Sequence, residues 1–134
     1  MARYAIDAPT LVRLLDDDLS IHPSHRLVAP NSIRMDALEL LLRDVRDGKR
    51  SDREALACHE TMTQLKMRLL GDRVSRRTAW QIARDRGWAS LRDAEYLAVA
   101  MLQADAFATV DPDMVGKAEN LVRVASISQL ESAR

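Results

Sequence analysis

The chain has 134 residues and no net charge, with 20 Lys and Arg against 20 Asp and Glu, and 47% of it is hydrophobic. That length suffices for one domain with a real core, and the composition excludes a disordered or fibrous protein. No apolar run approaches the roughly 18 residues that span a bilayer, and zero net charge argues against tight non-specific nucleic-acid binding while leaving transient RNA handling open. Met1-Ala-Arg-Tyr-Ala-Ile-Asp7 meets an acid too early for a secretory leader. The single Cys58 allows no internal disulfide and gives no metal-ligand spacing, so a reducing cytoplasm is expected.

Arg3 to Ile6 reads as a short strand that stops at Asp7. Pro9 then sits where the first turn of a helix tolerates proline, with Leu11, Leu14, Leu15 and Leu19 at helical spacing. After a loop over Ser20 to His25, Arg26 to Ala29 reads as a strand ended by Pro30-Asn31. From Ser32 to about Asp47, a helical face carries Ile33, Met35, Leu38, Leu41, Leu42 and Val45, closed by Gly48. A further helix is expected from Ser51 to about Met67, burying Leu56, Met62, Leu65 and Met67. Past Gly71-Asp72, a basic helix over Arg73 to Arg86 carries Val74, Trp80 and Ile82 and stops at Gly87. Ser90 stands three residues before Asp93 at capping-box spacing, and Tyr96, Leu97, Val99 and Ala100 continue that helix. Ala106 to Val110 is an apolar strand ending at Asp111, Leu121 to Val124 reads as a last strand, and the tail from Ser126 is expected to be loose at its end. Strands alternating with helices predict a mainly parallel sheet covered on both faces, in a single domain over residues 1–134.

Four acids stand out from this pattern. Asp7 and Asp111 each end an apolar strand, and in a parallel sheet such ends share the edge where ligands bind. Asp36 lies in the helix after the second strand, near enough its start to face the same edge. Asp93 lies in the first turn of a helix that precedes a strand, and reaches that edge if the preceding segment crosses back. Carboxylates gathered in one cleft repel one another unless protons or a hard cation neutralise them, so convergence would mean a Mg²⁺ or Mn²⁺ site and phosphodiester hydrolysis. Each acid also has an ordinary reading: Asp7 as an N-cap, Asp93 completing a capping box, Asp111 before Pro112 as turn chemistry, Asp36 as an acid near a helix N-terminus. The functional reading rests on all four together.

The segments Tyr4-Ala-Ile-Asp-Ala-Pro-Thr-Leu-Val-Arg-Leu-Leu15, Leu27-Val-Ala-Pro30 with Asp36-Ala-Leu, Arg92-Asp-Ala-Glu-Tyr-Leu-Ala-Val-Ala100 and Phe107-Ala-Thr-Val-Asp111 follow one another in order. Together they resemble the PIN-domain family, in particular the small VapC-type toxin ribonucleases of toxin–antitoxin pairs, from Arg3 to about Ser126. The resemblance implies a three-layer α/β/α fold and metal-dependent endoribonucleolytic cleavage of RNA. It also implies Asp7, Asp36, Asp93 and Asp111 as catalytic metal ligands for Mg²⁺ or Mn²⁺, with Thr10 and Thr109 beside them, a cognate protein antitoxin and a homodimer. Two positions depart from the family pattern. Asp36 stands where Glu is usual, with Glu39 one turn on as a substitute. Pro9 stands where a Ser or Thr is common, with Thr10 one position later. These departures favour the alternative, a PIN-like module that has lost catalysis and retains RNA or protein-partner binding.

The arginines of the basic helix, Arg73, Arg76 and Arg77 among them, read either as a phosphate-tracking rim for RNA or as a solvated face. Trp80 and Trp88 are read as core rather than as base-stacking platforms. His22, His25 and His59 have no metal-like spacing, and Cys58 is expected to be inert and partly buried.

Overall fold

The computed structural model describes residues 2–131. Its elements in chain order are β1 (Ala2–Ile6), α1 (Ala8–Asp16), β2 (His25–Pro30), α2 (Ile33–Arg46), α3 (Asp52–Gln64), β3 (Arg68–Leu70), α4 (Arg73–Arg86), α5 (Arg92–Gln103), β4 (Ala106–Ala108), α6 (Pro112–Ala118) and β5 (Val124–Ala125), followed by a 3₁₀ turn at Ile127–Leu130. The strands form one sheet in the order β3-β2-β1-β4-β5, with every pairing parallel. This is the three-layer α/β architecture expected, with a sheet that is parallel throughout.

The order fixes the layers. Right-handed crossovers from β1 outward to β2 and β3 place α1, α2 and α3 on one face, and the reversal from β3 back to β4 places α4, α5 and α6 on the other. The chain changes direction between β1 and β4, so the crevice at their C-terminal ends is the switch point where ligands bind in such sheets. Tyr4, Ala5 and Ile6 of β1, Leu27 to Ala29 of β2 and all of β4 are buried, as befits strands covered on both faces.

Local chemistry sets the helix limits. Ser51 and Glu54 form a capping box at the start of α3, Asp72 and Ser75 form another at the start of α4, and Gly87 ends α4 in the left-handed conformation, φ 70°. Leu41 of α2 is fully buried in the core, where α2 packs against α1 and α3. Leu41→Ala should cost about 2–5 kcal/mol through lost transfer energy and the cavity left behind, read as a lower urea midpoint with an unchanged slope.

Several expectations are corrected. The strand β3 and the helix α6 were not expected; β3 is three residues long, and α6 contains Gly116. The last strand falls at Val124–Ala125 rather than Leu121 to Val124, and β4 stops at Ala108 because Thr109 and Val110 turn toward the end of β1. Within the tail, Leu130 is fully buried and Ile21 bridges to Glu131, while the end that was expected to be loose, after Glu131, lies outside the described residues. Leu56 is 60% exposed, and Met35, Leu42, Val74 and Trp80 also face outward, because the surfaces α2, α3 and α4 turn to the core are lined instead by Ile33, Ala37, Ala55, Met62, Ala79 and Ile82. Cys58 is half-buried, and burial pushes its thiol pKa up, which disfavours the reactive thiolate. Among the described residues, no helix is long and apolar enough to cross a membrane.

Candidate functional site

At the C-terminal edge, Asp7, Asp36, Asp93 and Asp111 line one cavity of about 160 Å³, together with Pro9, Leu40, Arg92, Tyr96 and Met114. Sequence alone left the edge reached by Asp93 open. The structure settles it: α5 runs into the start of β4, and its first turn lies at the edge where β1 ends, with Asp93 lining the same cavity as Asp7.

Asp7 is the most buried of the four, 2% exposed, and caps α1. One carboxylate oxygen accepts from the Thr10 backbone N–H at 3.2 Å and from the Thr10 hydroxyl, and the other accepts from the Thr109 hydroxyl at 2.7 Å. Both threonines are held in turn: Thr10 Oγ1 accepts from the Val110 N–H at 3.1 Å, and Thr109 Oγ1 accepts from the Asp111 N–H at 3.0 Å. The hydroxyl that Pro9 lacks is thus supplied one residue later, and it ties the end of β1 to the segment after β4. Burial raises the Asp7 carboxyl above its usual range; the threonine hydrogen bonds pull it down, and the charge of Asp111 adds to the rise.

Asp36 sits in the first turn of α2 and accepts from the Tyr96 hydroxyl at 2.8 Å and from the Ser32 hydroxyl at 3.3 Å, with Arg92 4.0 Å away. Burial, and then the hydrogen bond to Asp36, push the Tyr96 hydroxyl pKa up, so it stays protonated and donating. Glu39 does not line the cavity. It is exposed and pairs with Arg92 at 3.4 Å, so Asp36 is the carboxylate that α2 brings to the site. Glu95 lies near this group, its pKa raised by burial and by Asp36.

Asp93 forms no capping box: α5 starts at Arg92 without a side-chain cap, and Asp93 Oδ2 accepts from Lys117 Nζ at 2.6 Å. Lys117 also reaches Asp113 at 3.2 Å and lies 5.4 Å from the centre of the Trp88 ring. Asp111 caps α6 by accepting from the Asp113 N–H at 3.0 Å. For Asp7 the capping reading is therefore correct, alongside its place in the cavity, while Asp111, read as turn chemistry before Pro112, caps a helix that was not expected. Tyr96, Arg92 and Lys117 were missed as parts of the site. A Tyr three residues after Asp93 was a usable signal for the first, and for Lys117 the missing knowledge of α6 hid it.

Four carboxylates around one cavity are the donor chemistry of a hard divalent cation. Their packing is a different matter. Among the described residues, no three His, Cys, Asp or Glu side chains are gathered closely enough to form a ready ion cage, and Lys117 and Arg92 serve as the positive partners of Asp93 and Asp36. A cation that keeps several of its waters, as Mg²⁺ does, fits such a site through one or two direct carboxylates.

No family model matches this chain, nor does any curated protein. Among solved structures, PAE2754 from Pyrobaculum aerophilum is similar at 20% identity with a TM-score of 0.73, over 96% of this chain and 93% of that one. VapBC-1 from nontypeable Haemophilus influenzae is similar at 13% identity with a TM-score of 0.58, over 94% and 98%. At these identities the likeness is one of fold. The fold is PIN-like.

Proposed function

We propose that this protein is a Mg²⁺- or Mn²⁺-dependent endoribonuclease acting in the cytoplasm as the toxin of a toxin–antitoxin pair. The observation that carries the reading is the cavity lined by Asp7, Asp36, Asp93 and Asp111 at the switch point of a PIN-like sheet. The fold likeness to VapBC-1 agrees with the VapC-type sequence resemblance.

When bound, a divalent cation polarises a phosphoryl oxygen and makes water a stronger nucleophile at neutral pH. The chain's own residues supply the rest. Thr10 and Thr109 hold both oxygens of Asp7 in a fixed direction, and Tyr96 holds Oδ2 of Asp36, so little reorganisation is needed when an RNA phosphate enters. Arg92 at the rim is 60% exposed, and it reaches a phosphate by leaving its pairs with Glu39 and Asp36. The outer face of α4 offers a path for the rest of the strand. Arg73, Arg76 and Arg77 are exposed there, and Trp80, expected in the core, is 59% exposed within one or two turns of them. Trp80→Ala should weaken binding of a short single-stranded RNA by about 1–3 kcal/mol with little change in unfolding midpoint, measured by fluorescence anisotropy.

The antitoxin is expected to bury apolar and basic side chains in the groove beside the acids, with an Arg reaching the carboxylates. Met35 and Leu42 of α2 and Leu56 of α3 are exposed, and they supply the apolar surface for the homodimer. Sedimentation at high micromolar concentration tests this, and a strict monomer would count against it. The reading as a whole is tested by Mn²⁺-dependent cleavage of a structured RNA. The second reading, a PIN-like module without catalysis, is favoured by one observation: Lys117 and Arg92 already answer the charge of Asp93 and Asp36. It predicts no cleavage and no rise in melting temperature with Mn²⁺.

A further inference from the structure

On the opposite edge of the sheet lies a larger cleft, about 620 Å³, lined by Arg3, His22, His25, Arg26, Lys66 and Arg68, with no Asp or Glu among its lining residues. Arg3, His25, Arg26 and Arg68 belong to the N-terminal ends of three adjacent strands, where Arg3 pairs with Arg26 and Val28 with Arg68, and His22 and Lys66 lie in the segments just before β2 and β3. Arg3 is four residues before Asp7 on β1, about 13 Å at the rise of a strand, so the sheet separates the cleft from the acidic cavity.

In a chain with equal numbers of acids and bases, four cations lining one cleft is a local excess that overall composition does not explain; the nearby Asp105 carboxylate is taken up by the Arg3 backbone N–H at 2.7 Å. Among the described residues, none of the four forms an ion pair. The Arg26 guanidinium is held by the carbonyls of Pro23 and His25 at 2.8 and 3.0 Å, both through Nη1, which leaves its other N–H groups to point elsewhere. His25 stands edge-on to Tyr4 at 5.0 Å and beside His22 at 5.2 Å, and its Nδ1 is buried without a hydrogen-bond partner. Ile21, Leu65 and Met67 add an apolar wall. The end of α3 at Leu65 invites some positive charge, but Arg34 from α2 already donates to the Leu65 carbonyl at 3.3 Å.

We propose that this cleft is a second ligand site, for a nucleoside monophosphate or the phosphorylated terminal nucleotide of an RNA. The volume is that of a small-molecule site, the arginines match phosphate oxygens in pairs, and the imidazoles and apolar wall match a flat base and sugar. The proposal is independent of the acidic cavity and of any chemistry there.

The test is titration calorimetry with adenosine monophosphate, inorganic phosphate and a 5′-phosphorylated oligoribonucleotide, on wild type and on Arg26→Ala/Arg68→Ala. Both side chains are exposed, so the variant should fold, and its melting temperature checks this. The nucleotide should bind at least about tenfold more tightly than inorganic phosphate, and the variant should lose about tenfold or more. Met67→Ser should weaken the nucleotide but not inorganic phosphate. Tighter binding of the phosphorylated oligonucleotide than of its unphosphorylated form would identify RNA ends as the source, and equal binding of the free nucleotide and the oligonucleotide would identify free nucleotides. No heat with any of the three ligands, affinity unchanged in the folded double variant, or amide shifts confined to residues around Asp7 and Asp93 would overturn the proposal.

Discussion

Asp7→Asn is expected to remove Mn²⁺ binding and to lower RNA cleavage by about two orders of magnitude or more, since a buried, directed carboxylate is lost from the cation's donor set. The substitution keeps the shape: the amide oxygen still accepts from Thr10, and the amide nitrogen faces the Thr109 hydroxyl, which can accept. Without metal the variant should be as stable as wild type or more so, because a charge held out of water beside Asp111 is gone. The sign with pH follows. Burial raises the folded pKa of Asp7 above its ordinary 3.8, so its contribution to stability is complete below that value and is lost as pH rises through the folded one. The stability gained by Asp7→Asn should therefore grow from acid to neutral pH in urea titrations without metal. A purely capping Asp7 predicts little change in either property, since Asn caps as well as Asp.

Lys117→Met is expected to act the other way on metal. Lys117 is a cation tethered 2.6 Å from one oxygen of Asp93, and its charge opposes an ion held by that carboxylate. Its removal should raise apparent Mn²⁺ affinity about tenfold and enlarge the metal-dependent rise in melting temperature, while lowering stability without metal because Asp93 loses its partner. Asp93 holds the Lys117 pKa above its ordinary 10.5, so the pair is fully formed at neutral pH and dissolves only on the alkaline side. Calorimetry at neutral pH reads the effect directly. Unchanged or weaker Mn²⁺ affinity would mean that Lys117 belongs to a permanent ion pair, as the non-catalytic reading requires.

Much of the fold was legible because the strands that matter are apolar and sharply ended. Tyr4-Ala-Ile before Asp7 and the start of β4 at Ala106 could be read from apolar pattern and punctuation, whereas the end of β4 at Ala108, short of the expected Val110, could not. The three-residue β3 carries no alternation to read, and Leu65 and Met67 continue the apolar spacing of α3, so the expected helix ran on to Met67, just before the strand, and the strand itself went unread. Missing α6 had a cost at the site. Asp111 was seen as the end of a strand, but Lys117, two turns further on, was not seen to reach Asp93. The exposure of Trp80 shows the limit of periodicity. An aromatic on an amphipathic helix reads as core, and only the packing of α4 on α5 through Ala79, Ile82 and Ala83 turns it outward. The contact of Asp36 with Tyr96, sixty residues away, had no local signal around Asp36.

The central claim is that Asp7, Asp36, Asp93 and Asp111 surround one divalent cation. Anomalous diffraction from crystals soaked in Mn²⁺ tests it most directly. The account predicts a single region of anomalous density among these carboxylates, with Lys117 Nζ moved off Asp93. Density elsewhere only, or an empty cavity with the Lys117–Asp93 pair intact at saturating Mn²⁺, would contradict it.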